Sequence, residues 1–284
     1  MTNIQDFTGY NPTWCPGCGN WGIGAAVKTA LVQLGHNPSS ILAVFGIGCS
    51  GNTNDFLNAY AIHSLHGRAI PTAVGMKLAN HKMSVLAIVG DGDCYGEGGN
   101  HFIHACRGNH NITVIVHDNC VYGLTTGQVA PTAQKGFKSK STPSGIIEIP
   151  VTPLGLAIVE GATFVAQGFT GNVSHLTELI KKGIVHKGFS LINVLQPCVS
   201  FNKINTFSYY KERTYQLADN YNFQDIHGAL EKALEPTLAN KFPLGVIYQS
   251  ERTTFDDSLP QLKEKTLLEK ERFLNYDEIL KDFV

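Results

Sequence analysis

Three times in the first half of the chain a short apolar run breaks directly into a turn built of glycines, acids or amides. Ile41–Phe45 enters Gly46-Ile47-Gly48-Cys49-Ser50-Gly51, Ser84–Val89 enters Gly90-Asp91-Gly92-Asp93, and Ile112–His117 enters Asp118-Asn119. Short apolar runs without polar alternation are the pattern of strands buried on both faces. Segments with apolar residues at helical spacing lie between or before them: Gly22–Leu34, which stops at Gly35, then Thr72–Asn80 and Gly98–Arg107. Strands alternating with crossover helices predict an α/β fold, a mainly parallel doubly wound sheet with helices on both faces. In such sheets ligands bind beyond the carboxyl ends of the strands, which is where these turns fall.

The rhythm resumes after a gap. Leu154–Val159, Thr163–Ala166, Val173–His186 and Ser190–Leu195 read as helix, strand, helix, strand, closing at Gln196-Pro197-Cys198. The gap itself, Val121–Pro150, is irregular and rich in Gly, Thr, Ser, Pro and Lys, and a loop of this length in a folded domain is expected to serve as a cofactor loop and lid. Beyond Cys198 the composition shifts toward Tyr, Asn, Lys and Glu, and Leu262–Phe273 carries a charged helical pattern. This tail is expected to be an extension or arm that docks on something.

Composition narrows the function classes. In 284 residues, 43% are hydrophobic and 16% charged, which fits a compact globular chain with a large core. Lys and Arg number 22 against 23 Asp and Glu, so no basic excess is present to displace counterions from a nucleic acid. No stretch approaches the roughly 18 apolar residues of a membrane span, and the amino terminus lacks the basic and apolar regions of a signal peptide. A soluble, cytoplasmic protein is expected. Seven cysteines, an odd number, point to metal binding or free thiols rather than a disulfide framework.

Cys15-Pro-Gly-Cys18 places two thiols where the tight Pro-Gly link lets both face one metal centre. Cys49 and Cys198 each stand in a turn after a predicted strand. Together the four would supply thiolates from the carboxyl edge of one sheet, enough for a [4Fe-4S] cluster or a closed zinc site, and spacing alone does not choose between them. Cys94, Cys106 and Cys120 read as buried, unliganded thiols. A redox disulfide at Cys15 and Cys18 would require a preceding strand, which the sequence lacks.

Asp91 and Asn119 are oxygen ligands at the ends of adjacent strands, with 26 residues between Gly92 and Asn119. With a nearby main-chain carbonyl they form a hard-cation site suited to Mg²⁺ and a diphosphate, approached closely by the glycine backbone and by the amino end of the following helix. Taken alone, Gly-Asp-Gly after a strand is more often an ordinary turn. With Asn119 and Val121-Tyr122-Gly123-Leu124-Thr125 it resembles the diphosphate-anchoring motif of thiamine diphosphate enzymes. That resemblance implies Mg²⁺ ligation by Asp91, Asn119 and the Val121 carbonyl.

Both motifs in one chain resemble the β subunit of the 2-oxoacid:ferredoxin oxidoreductases, in the two-subunit branch that includes the 2-oxoglutarate enzymes. The stretches that carry the resemblance are WCPGCGNWGI, GIGCSGN, HSLHGRAIPTAVGMKLAN, GDGDCYGEGGNHFIHACRGN, HDNCVYGLTTGQVAPT, HKGFSLINVLQPC and YYKER, spanning residues 14 to about 213. It implies a thiamine diphosphate-binding fold over residues 1–213 that also carries the iron–sulfur centre, with residues 214–284 as an extension packing on the domain or the partner subunit. It implies that Cys15, Cys18, Cys49 and Cys198 hold a [4Fe-4S] cluster. Gly48, Cys49, Ser50, His66, Gly90, Asp91, Gly92, Asp93, Asn119, Val121, Gly123, Leu124 and Thr125 would contact the cofactor.

The activity implied is oxidative decarboxylation of a 2-oxoacid, such as 2-oxoglutarate or a pyruvate-like acid, to acyl-CoA and CO₂. Electrons pass through the cluster to ferredoxin, and thiamine serves as the electron sink. His66 is the candidate catalytic residue and Arg68 a candidate neighbour of the diphosphate, while His63 reads as a packed or solvated histidine. The resemblance places the glutamate that activates thiamine on an α subunit, making this chain half of a heterodimer's active site. Glu97, which opens a helix beside the diphosphate motif, does not fit that role. The sequence departs from the family pattern at Thr126 and Asn52, uncharged where basic residues commonly stand. A substrate's second carboxylate would then need a cation from Arg68 or another subunit. The rival readings are a non-redox thiamine diphosphate decarboxylase or synthase subunit, which has no use for four cysteines, and a zinc-stapled binding module without catalysis.

Overall fold

The computed structural model describes residues 2–270, 275–281 and 283. In chain order the elements are α1 (Asn20–Gln33), β1 (Ile41–Phe45), α2 (Thr53–Phe56), β2 (Tyr60–His63), α3 (Ala69–Ala79), β3 (Ser84–Gly90), a π-helical turn at Gly92–Glu97, α4 (Gly99–Gly108) and β4 (Thr113–Asp118). The long loop holds only the two-residue strands β5 (Val121–Tyr122) and β6 (Gln128–Val129). It is followed by α5 (Pro153–Val159), β7 (Phe164–Phe169), α6 (Val173–Val185) and β8 (Ser190–Leu195). Then come α7 (Phe207–Arg213), β9 (Thr214–Gln216), α8 (Ile226–Leu238), β10 (Phe242–Gln249) and α9 (Tyr276–Lys281).

Eight strands form one sheet in the order β2-β1-β3-β4-β8-β7-β10-β9. Every pairing is parallel except β7 with β10. β4 and β8 are buried along their whole length and β3 over Val85–Val89, as the unbroken apolar runs predict for strands covered on both faces. Their side chains alternate between two cores. Val85, Ala87 and Val89 pack with Ile70 of α3, Phe102 of α4, Ile158 of α5 and Ala233 of α8. Leu86 and Ile88 pack on the other face with Val27 and Leu31 of α1 and Leu176 and Ile180 of α6.

The chain steps one way across the sheet from β1 through β3 to β4, with α3 and α4 on one face. From β7 to β8 it steps back with α6 on the opposite face, as right-handed crossovers require. The two directions meet at β4 and β8, and the carboxyl ends of β1, β3, β4 and β8 share one edge of the sheet. There the turns bearing Cys49, Asp91, Asn119 and Cys198 emerge.

Two features depart from the sequence reading or go beyond it. The helix expected over 262–273 does not form across its described part: Pro260–Leu262 and Leu267–Glu269 are separate 3-10 turns, and residues 271–273 lie outside the described residues. Charge alternation there marks a solvated strap rather than a helix face. The region from 214 onward contributes β9 and β10 to the main sheet, so part of the expected extension is continuous with the domain that carries the site.

Candidate active site and thiolate centre

The four sequence-predicted cysteines come together. Cys15 and Cys18 close a turn through the Cys18 N–H to the Cys15 carbonyl at 3.0 Å, and the next residue, Gly19, donates its N–H to the Pro197 carbonyl at 3.2 Å. That bond seats the turn on the loop after β8. Ser200 Oγ donates to Cys15 Sγ at 3.1 Å and Gln196 Nε2 to Cys18 Sγ at 3.3 Å, so residues flanking Cys198 reach both sulfurs of the pair. A methyl group on Gly123 would lie 3.5 Å from Cys49 Sγ and 3.7 Å from Cys198 Sγ, which places both sulfurs beside one backbone position. Burial first, and the neighbouring cysteines of the set after it, push the Cys18 and Cys49 thiols up to about 11.

All seven cysteines are free thiols. Cys94 and, on α4, Cys106 sit in the apolar core, and Cys120 packs with Val121, Ala133, Phe137 and Cys198. Among the described residues no three His, Cys, Asp or Glu side chains converge on a single ion. A tetrahedral zinc site holds its sulfurs ~3.8 Å apart, whereas each thiolate of a cubane binds its own iron and stands further from the others.

Beside the thiols lies the acidic end of β3. Asp91 Oδ1 accepts the Gly92 N–H at 3.0 Å. Its Oδ2 accepts the N–H groups of Cys120 at 2.7 Å and Asn119 at 3.3 Å and the Thr132 hydroxyl at 2.5 Å. Cys120 makes its contact by adopting a left-handed backbone, φ 64°, a conformation that a non-glycine residue holds only where its surroundings fix it. Asn119 accepts the Val121 N–H on Oδ1 at 3.0 Å and donates to Gln196 Oε1 at 2.8 Å. Asp118 is held by Asn193 Nδ2 at 3.0 Å, and Asn193 in turn accepts from the Tyr95 hydroxyl at 2.8 Å.

Burial, and then the adjacent Asp118 carboxyl, raises the proton affinity of Asp91; Asp118 is raised chiefly by burial. No lysine or arginine pairs with either carboxyl among the described residues. Two buried acids without a cationic side chain fit a divalent cation, which would take the place of a shared proton.

A cavity opens over these groups. Every expected cofactor contact lines it: Gly48, Cys49, Ser50, His66, Gly90, Asp91, Gly92, Asp93, Asn119, Val121, Gly123, Leu124 and Thr125. Ile47 and Tyr122 complete the wall. His66 Nδ1 lies 2.8 Å from Asp93 Oδ1, which also accepts the Gly67 N–H at 2.8 Å, and 3.4 Å from Glu97 Oε2. Tyr122 donates its hydroxyl to Glu97 at 3.2 Å. Asp93 is buried, and its second oxygen has no hydrogen-bond partner.

Arg68 does not line the cavity; its guanidinium meets His101 Nε2 at 3.0 Å. His63 is exposed on β2, and Thr126 is exposed with φ 77°. Sequence reasoning passed over Gln196, Thr132 and Asn193, which touch the site across separations of 41 to 178 residues and carry no local signal. Tyr122 stood inside the recognised motif but was not singled out.

Residues 42–194 match the C-terminal TPP-binding domain of thiamine pyrophosphate enzymes, and residues 198–264 match the C-terminal part of the pyruvate ferredoxin oxidoreductase β subunit. The chain is 44% identical over 249 residues to the 2-oxoacid:ferredoxin oxidoreductase subunit beta of Saccharolobus solfataricus, covering 84% of this chain and 82% of the relative. It is 37% identical over 254 residues to a 2-oxoglutarate synthase subunit KorB of Methanocaldococcus jannaschii, covering 89% and 93%. Among solved structures it is similar to the 2-oxoglutarate:ferredoxin oxidoreductase from Magnetococcus marinus with 2-oxoglutarate, coenzyme A and succinyl-CoA bound. That likeness has a TM-score of 0.91 and 35% identity over 99% of this chain and 95% of the other.

Proposed function

Since the chain belongs to the β subunits of the 2-oxoacid:ferredoxin oxidoreductases and carries their thiamine pyrophosphate-binding domain, we propose that with an α subunit it converts a 2-oxoacid and CoA to an acyl-CoA and CO₂, delivering two electrons singly to ferredoxin. The observation that carries this reading is that the acidic cradle and one member of the thiol set open on one cavity: Cys49 lines the same wall as Asp91 and Asn119. Thiamine diphosphate held by the acidic cradle would supply the electron sink for loss of CO₂, and a [4Fe-4S] cluster held by the four cysteines would supply one-electron chemistry.

In this reading Asp91, Asn119 and the Val121 carbonyl hold Mg²⁺ against the diphosphate, and Gln196 and Thr132 orient the first two. Cys15, Cys18, Cys49 and Cys198 hold the cluster. His66 donates its Nδ1–H to Asp93, which leaves the Nε2 lone pair to accept a proton at the cavity mouth. No glutamate lines the cavity among the described residues, and Glu97 is tied to His66 and Tyr122 at its edge, which supports an activating glutamate from the α subunit.

The substrate is 2-oxoglutarate or a pyruvate-like acid. With Arg68 turned to His101, and Thr126 and Asn52 uncharged, a second carboxylate would be met by a cation of the α subunit. Residues 1–213 form the cofactor-bearing unit, and the exposed part of 214–284 docks on α. No helix among the described residues is long and apolar enough to cross a membrane, and seven free thiols suit a reducing cytoplasm.

The test is the visible spectrum and metal content of the complex purified without oxygen, before and after dithionite, with Cys198→Ala and Cys106→Ala alongside. A broad absorption that bleaches on reduction, kept in Cys106→Ala and lost in Cys198→Ala, is the expected result. Zinc in place of iron, or an undiminished spectrum in Cys198→Ala, would overturn the redox half of the proposal.

A further inference from the structure

The chain has two tryptophans, and both fasten a thiol-bearing loop. Trp14 Nε1 donates to the Cys49 carbonyl at 2.7 Å, bridging the amino-terminal segment to the turn after β1. Trp21 Nε1 donates to the Cys15 carbonyl at 3.1 Å, folding the Cys15–Cys18 turn back on the first turn of α1. The two indoles meet edge to face, centroids 5.7 Å apart, and Trp14 makes a second edge contact with Phe56 of α2 at 4.9 Å. Trp14 is buried, whereas Trp21 is 42% exposed, beside the exposed Cys15.

These contacts do more than fill space. A phenyl ring would fill most of the same volume, but only an indole N–H reaches the two carbonyls, and both carbonyls belong to members of the four-thiol set. Each bond also turns a carbonyl oxygen toward an indole and so fixes the direction in which the cysteine backbone dipole points. We propose that Trp14 and Trp21 are positioning residues for the thiolate centre: they hold the Cys49 and Cys15 loops at the separation a cluster requires, and Trp14 keeps water from the Cys49 side. The inference rests on the iron–sulfur reading above.

Two consequences follow from the physics. Loops no longer fastened by a hydrogen bond open more often, so a chelator reaches iron sooner. Water admitted to the cluster favours the reduced form, which carries one more negative charge, so the midpoint potential rises.

The experiment compares wild type, Trp14→Phe and Trp21→Phe, each as the anaerobic complex with the α subunit. It follows iron transfer to a chelator, the cluster's midpoint potential, and the melting temperature. We expect roughly two- to tenfold faster iron loss in each variant, the effect of one hydrogen bond. A more positive potential should appear in Trp14→Phe, with melting unchanged. Iron retention and potential equal to wild type in both variants would overturn the inference while leaving the cluster in place. Wild-type complex without iron would instead overturn the reading on which it rests.

Discussion

The ring of Tyr122 lies against the bare backbone of Gly92: a methyl group there would meet Tyr122 Cε1 at 2.4 Å. A methyl on Gly96 would meet the Tyr122 hydroxyl at 2.6 Å, and that hydroxyl is anchored on Glu97. The two glycines of the π-helical turn thus provide the face on which the first residue pair of the long loop is seated. Tyr122 thereby joins the turn after β3, which begins beside Asp91, to the loop after β4, which carries Val121.

Gly92→Ala should therefore displace Tyr122, because the neighbouring atoms are a rigid ring and not the end of a flexible side chain. A loss of about 1–3 kcal/mol is expected from overpacking. Thiamine diphosphate binding should weaken by about tenfold or more as the proposed cation ligands lose their support. Titration of the cofactor into the complex checks this, and the double variant Gly92→Ala with Tyr122→Ala should recover stability but not cofactor affinity.

His117 of β4 is buried, with Nδ1 2.8 Å from Asn20 Oδ1 and Nε2 unpartnered, and burial pushes its proton affinity down to about 3. In the unfolded chain an ordinary histidine titrates near ~6.5. Below that pH the unfolded state binds the extra proton, so the contribution of neutral His117 is complete above pH ~6.5 and is lost as pH falls toward 3. Urea unfolding from pH 7 to 4 should show wild type losing stability faster than His117→Gln, by up to about 1.4 kcal/mol per pH unit. Parallel curves would count against this origin.

Thr126 is β-branched, exposed and held at φ 77°. The left-handed conformation costs a non-glycine residue about 1–2 kcal/mol, and glycine gives back about 0.4–1 kcal/mol through a freer unfolded chain. Thr126→Gly should then stabilise the fold by roughly 0.5–1 kcal/mol, read as a higher urea midpoint.

Arg252 donates to the carbonyls of Cys106 at 3.0 Å and Arg107 at 2.9 Å, at the end of α4, and to that of Gly161 at 2.8 Å, after α5. One guanidinium therefore ties the segment after β10 to two helix ends. Arg252→Ala should cost about 2 kcal/mol of stability, while iron content and cofactor affinity in the surviving folded protein stay at wild-type values. Loss of either at unchanged stability would show that the clamp reaches the site.

The sequence by itself determined the central strands, the helices between them and the identity of the groups at the strand ends. Those depend on local period and on residues the chemistry cannot replace: β8 runs from Ser190 to Leu195 as the apolar run predicts, and Asp91, Asn119 and the four cysteines all reach one edge of the sheet. Only the tertiary structure decided what holds those groups. Gln196 beneath Asn119 and Cys18, Thr132 on Asp91, Asp93 on His66 and the indoles on two cysteine carbonyls are contacts between distant segments, formed where burial demands a partner for each polar atom. An exposed contact likewise decides Arg68, whose guanidinium meets His101 on α4 and not the cavity. It also puts β10 antiparallel against β7, a pairing fixed by which sheet edge was left open rather than by any pattern within Phe242–Gln249.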